Sequence, residues 1–174
     1  MTRIQTTHVV SLATQVEGSS KTVLVPDNVV QRVSLSCGCV VATCNAFQCS
    51  KAKIGGKDFT AGEKLISGSR CGSVVTSTIS GRSMYGLVKQ FLRVVCGCLR
   101  FHDFALLTWF PRPTYPDSDP LTVRVGLHGI ADVNNVIAVD VIGLCDIEPS
   151  RVAVDLDPRH NCMFMLRLEG VDTM

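Results

Sequence analysis

Apolar and polar positions alternate along much of the chain. Val33, Leu35, Cys37, Cys39 and Val41 interleave with Arg32, Ser34, Ser36, Gly38 and Val40. Leu121, Val123, Val125 and Leu127 interleave with Thr122, Arg124, Gly126 and His128. The same period recurs at Val152, Val154 and Leu156, and at Cys162, Phe164, Leu166 and Leu168. A period of two places each set on one face of a strand. Further strands are expected near 8–14, 21–25, 73–79, 98–110 and 136–142. One stretch departs from this rhythm: Tyr85, Leu87, Val88, Phe91, Leu92 and Val95 follow the spacing of one helical face. The spacing predicts a short amphipathic helix over 83–95. Two segments read as surface loops. One runs over 50–72, with Gly55, Gly56, Gly62 and Gly68; the other is 111–120, with four prolines that lack a donor N–H.

Many short strands and one helix define an all-β fold, a β-sandwich narrowed by the lone helix to a jelly roll. The 174 residues suit one β-rich domain over 1–174. Composition agrees: 46% of residues are hydrophobic and 18% charged, which excludes a disordered chain. Valine dominates the apolar set and favours sheet.

A net charge of +2 changes the picture in one respect. A protein held to nucleic acid by many phosphate contacts carries a basic arm or patch. Here the densest cluster is Lys51, Lys53 and Lys57, which reads as a solvated loop. Any RNA contact is expected to be weak. No secretory leader and no bilayer-length apolar run is read, so neither secretion nor a membrane span is expected.

Nine cysteines raise the question of metal. Cys37, Cys39, Cys44 and Cys49 could supply four thiolates to zinc. A single residue between paired cysteines in a strand sets their sulfurs about 7 Å apart, unlike the tight turn of a zinc knuckle. Core filling is therefore the expected role, zinc the alternative, and no cofactor is expected. A catalytic constellation is not found. His102 and Asp103 are neighbours and point to opposite faces of a strand, and neither His8, His128 nor His160 is matched to a nucleophile.

The stretch 85–111 resembles the middle of jelly-roll coat proteins of small picorna-like RNA viruses. Phe91, Gly97, Leu99, Arg100, Phe101 and Pro111 stand at the places of that pattern, and Asn134–Val141 resembles a late strand of the fold. The resemblance implies a capsid subunit of an icosahedral shell enclosing RNA, located in the virion or host cytoplasm. It implies self-association, contacts with other capsid subunits and no enzymatic activity. Trp109, Phe110 and Tyr115 are the expected interface aromatics, with core packing the competing role for Trp109. The alternative function is a cysteine-rich viral accessory protein that binds zinc and nucleic acid.

Overall fold

The computed structural model describes residues 14–17, 21–38, 45–62, 68–95, 97, 99–110, 127–132, 139–157 and 162–168. The chain is built mainly of antiparallel strands in three sheets, with one α-helix among the described residues. The strands are β1 (Gln15–Glu17), β2 (Lys21–Leu24), β3 (Asn45–Cys49), β4 (Lys51–Ile54), β5 (Lys57–Thr60), β6 (Gly68–Cys71) and β7 (Val74–Ile79). They continue with β8 (Arg82–Val95), β9 (Phe101–Trp109), β10 (Leu127–Asp132), β11 (Val139–Gly143), β12 (Arg151–Asp157) and β13 (Cys162–Leu168). The helix, α1, spans Asp27–Cys37.

The central sheet runs β11-β9-β8-β3-β2, with β7 also paired to β8. Strand β8 is its spine. It pairs with β9 through Gly86–Val95, with β7 through Arg82–Leu87 and with β3 through Phe91–Val94. A second sheet has the order β10-β13-β12-β6 and a third the order β1-β4-β5. One face of the central sheet presents Val88, Phe91, Ala105, Leu107, Trp109 and Ile142 to the small β1-β4-β5 sheet, whose Val16, Ala52, Ile54 and Phe59 close that layer. The opposite face is covered at one end by α1, where Val29 and Val33 meet Leu92, Val94, Phe104 and Val141. At the other end Val74, Tyr85, Leu87 and Phe110 meet Val152 and Val154 of β12. The sandwich is thus a central sheet covered on both sides.

The expected helix over 83–95 is a strand. The cause is a β-bulge: Val88 pairs with Leu107 and Gln90 with Leu106, so Lys89 is one residue extra. The bulge shifts the parity of the strand. Val88 and Phe91 therefore share a face across a gap of three, while Tyr85 and Leu87, then Leu92 and Val94, line the other. Two buried faces joined by a bulge reproduce the spacing of a helix.

The converse correction holds at 33–41. Residues to Cys37 belong to α1, not to a strand. Pro26 precedes the helix with φ preset at −59°, and its carbonyl accepts from the Val29 and Val30 N–H groups. Gly38, at φ 66°, ends it by donating its N–H to the Ser34 carbonyl. Val33 is fully buried and Leu35 is 78% exposed, which a strand with both on one face could not produce.

The 50–72 segment contains β4, β5 and β6 rather than a loop. Gly55 and Gly56, with φ of 55° and 80°, make the two-residue turn between Ile54 and Lys57. Positive φ at both positions suits the right-handed twist of a hairpin. A Cβ on Gly55 would lie 2.4 Å from the Pro149 Cβ, so the hairpin tip packs directly on the segment before β12. Strands expected near 21–25, 73–79, 98–110, 136–142, 152–156 and 162–168 are present as β2, β7, β9, β11, β12 and β13. Residues 111–120 and most of 8–14 lie outside the described residues, and of the 121–128 strand only its end is described, as the start of β10. No helix among the described residues is long and apolar enough to cross a membrane.

Candidate functional site

The small sheet leaves one end of the central sheet open. Two cross-strand rows lie there on the same face. Thr22, Phe47, Arg93 and Asp103 are register partners across β2, β3, β8 and β9. In the next row Leu24 is opposite Asn45, and Val95 is opposite Phe101. Leu24 is 79% exposed and Phe101 61% exposed, while Phe47 lies at the margin between half-buried and exposed. Leu99, in the β8–β9 connection, is also exposed. Beyond Leu24 the sheet ends at β2, whose strand partner among the described residues is β3 alone.

A charged pair borders this apolar end. Arg93 donates from Nε to Asp103 Oδ1 and from Nη2 to Asp103 Oδ2, both at 2.8 Å. This is the bidentate geometry that makes an Arg–carboxylate pair specific. Asp103 Oδ2 also accepts from the Val16 N–H at 3.1 Å. The carboxylate so ties β1, the edge of the small sheet, to the central one. The Arg93 guanidinium stacks 5.4 Å from the centre of the Phe101 ring. Hydrogen bonding to Asp103 raises the Arg93 pKa further above its ordinary value, so the cation is permanent. Cys49 is buried nearby. Burial pushes its thiol pKa up, with Arg93 opposing and Asp103 reinforcing the shift, and the neutral thiol is the resting form.

A second feature lies where β2, β3 and β8 meet the end of β5. Lys21, Gln48, Cys49, Ser50, Ala61, Gly62 and Lys89 line a cleft of about 330 Å³. Lys89 reaches it from the bulge in β8.

Trp109 and Phe110, expected at an interface, are both buried within the single chain. Trp109 lies over Gly86, where a Cβ would meet its ring at 2.9 Å, and its Nε1 donates to Asp140 Oδ2 at 2.9 Å. Asp140 Oδ1 also stands 3.7 Å from Arg32 Nη2 of α1. These aromatics are core, and Tyr115 lies outside the described residues. Of the four cysteines weighed for zinc, Cys49 is a buried free thiol, and Cys37 is placed at the end of a helix instead of in a strand. Cys39 and Cys44 lie outside the described residues. Among the described residues, no three His, Cys, Asp or Glu side chains are grouped to hold a metal. Asp103 faces Arg93, whereas His102 turns to the other side of β9 with Phe104, their rings 6.5 Å apart.

The open sheet end is not legible in the sequence because it depends on register. Nothing local marks Arg93 and Asp103 as partners, and the apolar spacing places Val95 on a helix. The one available signal was Phe101, within the Gly-Cys-Leu-Arg-Phe stretch. Compared with known protein families, with curated proteins and with solved structures, the chain matches none.

Proposed function

We propose that the chain is a self-associating structural protein, a β-sandwich building block that docks copies of itself through the open end of its central sheet. In particular form it is a jelly-roll coat subunit of a small icosahedral RNA-virus shell, acting in the virion or host cytoplasm without catalysis.

The observation that carries this reading is the exposed apolar surface of Leu24, Phe47 and Phe101 at a sheet end closed by edge strand β2. Burying a side chain of this size stabilises a contact by about 1.5–3 kcal/mol. An aromatic anchor ringed by apolar neighbours is the usual centre of an interface. Strand β2 is short and starts with Lys21, so pairing two copies antiparallel about Val23 sets Thr22 against the second copy's Leu24 and brings no lysines face to face. Such a two-fold contact continues the apolar surface across both copies. The stretch that resembles viral coats supplies three of the residues here, Leu99, Arg100 and Phe101, all exposed.

Analytical ultracentrifugation over a range of concentrations, with electron microscopy of the same samples, tests the proposal. The expected outcome is concentration-dependent oligomers or particles for the native chain and a monomer for the Leu24→Asp/Phe101→Asp double variant, with equal melting temperatures. A native chain that stays monomeric at high concentration overturns the assembly reading. Oligomers without closed particles overturn the shell while leaving self-association in place.

A further inference from the structure

We infer that Arg32 and Asp140 close the β11 edge of the central sheet, so that a second copy of the chain cannot add a strand there. On the reading that copies join through this sheet, which the closure deepens and rests on, they are left with the β2 edge alone.

The central sheet ends on β2 at one side and on β11 at the other, and β11 pairs only with β9 among the described residues. An edge strand rich in β-branched residues is a template for pairing with another chain. Strand β11 is of that kind, Val-Asp-Val-Ile-Gly, and its Val139 is 58% exposed. Its one charged residue is held within the fold. Asp140 is opposite Leu107, which places it on the face of Leu107 and Trp109. Trp109 Nε1 donates to Asp140 Oδ2 at 2.9 Å, and Val141 donates its N–H to Asp140 Oδ1 at 2.7 Å. That N–H is taken inside β11 and is not offered to an incoming strand.

Arg32 completes the closure. Its helix packs on the opposite face, where Val29 and Val33 meet Val141. Arg32 Nη2 nevertheless lies 3.7 Å from Asp140 Oδ1. Strand β9 fills the inner side of β11, so the route from one face to the other runs around the outer edge. The Arg32 side chain therefore crosses that edge at the level of Asp140 and Val141. A docking strand has to displace a guanidinium and break a short hydrogen bond before it gains any of its own. The other edge is treated differently: Lys21, Thr22 and Leu24 of β2 are all exposed.

Hydrogen exchange and sedimentation of the full chain test this, in the Leu24→Asp/Phe101→Asp background that disables the β2 edge. Opening β11 with Arg32→Ala/Asp140→Ala is expected to make the Val141 amide exchange about tenfold faster or more. In analytical ultracentrifugation the opened chain is expected to pass from one chain mass to two as concentration rises, while its parent stays at one. Adding Val139→Lys to the opened chain is expected to return it to one chain mass. Asp140→Ala also removes the Trp109 bond, so Arg32→Ala alone serves as the milder variant. Arg32 is just over half exposed, and its loss is expected to leave the melting temperature unchanged and to give weaker pairing of the same kind. Either opened chain that melts as its parent does and stays at one chain mass overturns the inference, as does pairing that survives Val139→Lys. A monomeric native chain sinks the assembly reading by itself, and a gain of pairing on opening β11 still decides the edge.

Discussion

Asp103 holds three groups at once, two guanidinium nitrogens of Arg93 and the Val16 N–H. Its side chain is largely shielded from water, so removing it strands a cation and a backbone donor together. Asp103→Ala is expected to destabilise the fold by about 2–4 kcal/mol, measured by chemical denaturation. Arg93→Met, which removes the cation and keeps an apolar stem, is expected to cost less. Cys49 illustrates a second residue-level effect. Because burial raises its pKa in the folded state, its neutral thiol contributes stability below the unfolded pKa, near 9.0, that is lost as pH rises through the folded value. Peptide mapping after brief iodoacetamide treatment at pH 8 is expected to find Cys145 modified, since it is exposed, and Cys49 protected.

At the scale of elements, α1 is held by its buried stripe rather than by its own propensity, since it is valine-rich. Val29→Ala is expected to destabilise by about 2 kcal/mol, because Val29 is fully enclosed against the central sheet. Leu35→Ala is expected to change stability by no more than ~0.5 kcal/mol, as Leu35 points to solvent. Thermal melts of the two variants distinguish helix from strand at this segment directly. The same pair shows where the sequence could and could not be read. Val33, Leu35 and Cys37 alternate as a strand would, yet Pro26 and Gly38 bracket a helix that buries Val29 and Val33. The proline and the glycine mark the ends of the helix, whereas the alternation points to a strand. In β8 the opposite holds, and no end signal distinguishes strand from helix. A bulge is a property of two strands, since Lys89 is extra only relative to β9. Strands without bulges or competing caps, such as β7, β9 and β12, were legible because one period describes them throughout.

At the scale of the whole molecule, the all-β sandwich was legible from valine content and short alternating runs, and its layering was not. The two smaller sheets and α1 pack on a central sheet whose spine is β8, and the assignment of faces follows from what covers β8 at each end. The candidate site was least legible for that reason. Its two rows draw on β2, β3, β8 and β9, far apart in sequence and aligned only by register. Aromatic content pointed to Trp109 and Phe110, which the fold uses internally, while the rings left outside are Phe47 and Phe101.

The extra residue at Lys89 makes β8 a phase-shifted ribbon. Its two halves are locked half a repeat out of step, one fitted to β7 and β12, the other to β3 and α1. Deleting that residue would restore a perfect alternation and still keep Tyr85, Leu87, Leu92 and Val94 on one face, with Val88 and Phe91 on the other. A chain so built is expected to tolerate the loss of one residue at this point better than the gain of one, which would turn one half of the ribbon inside out relative to the other.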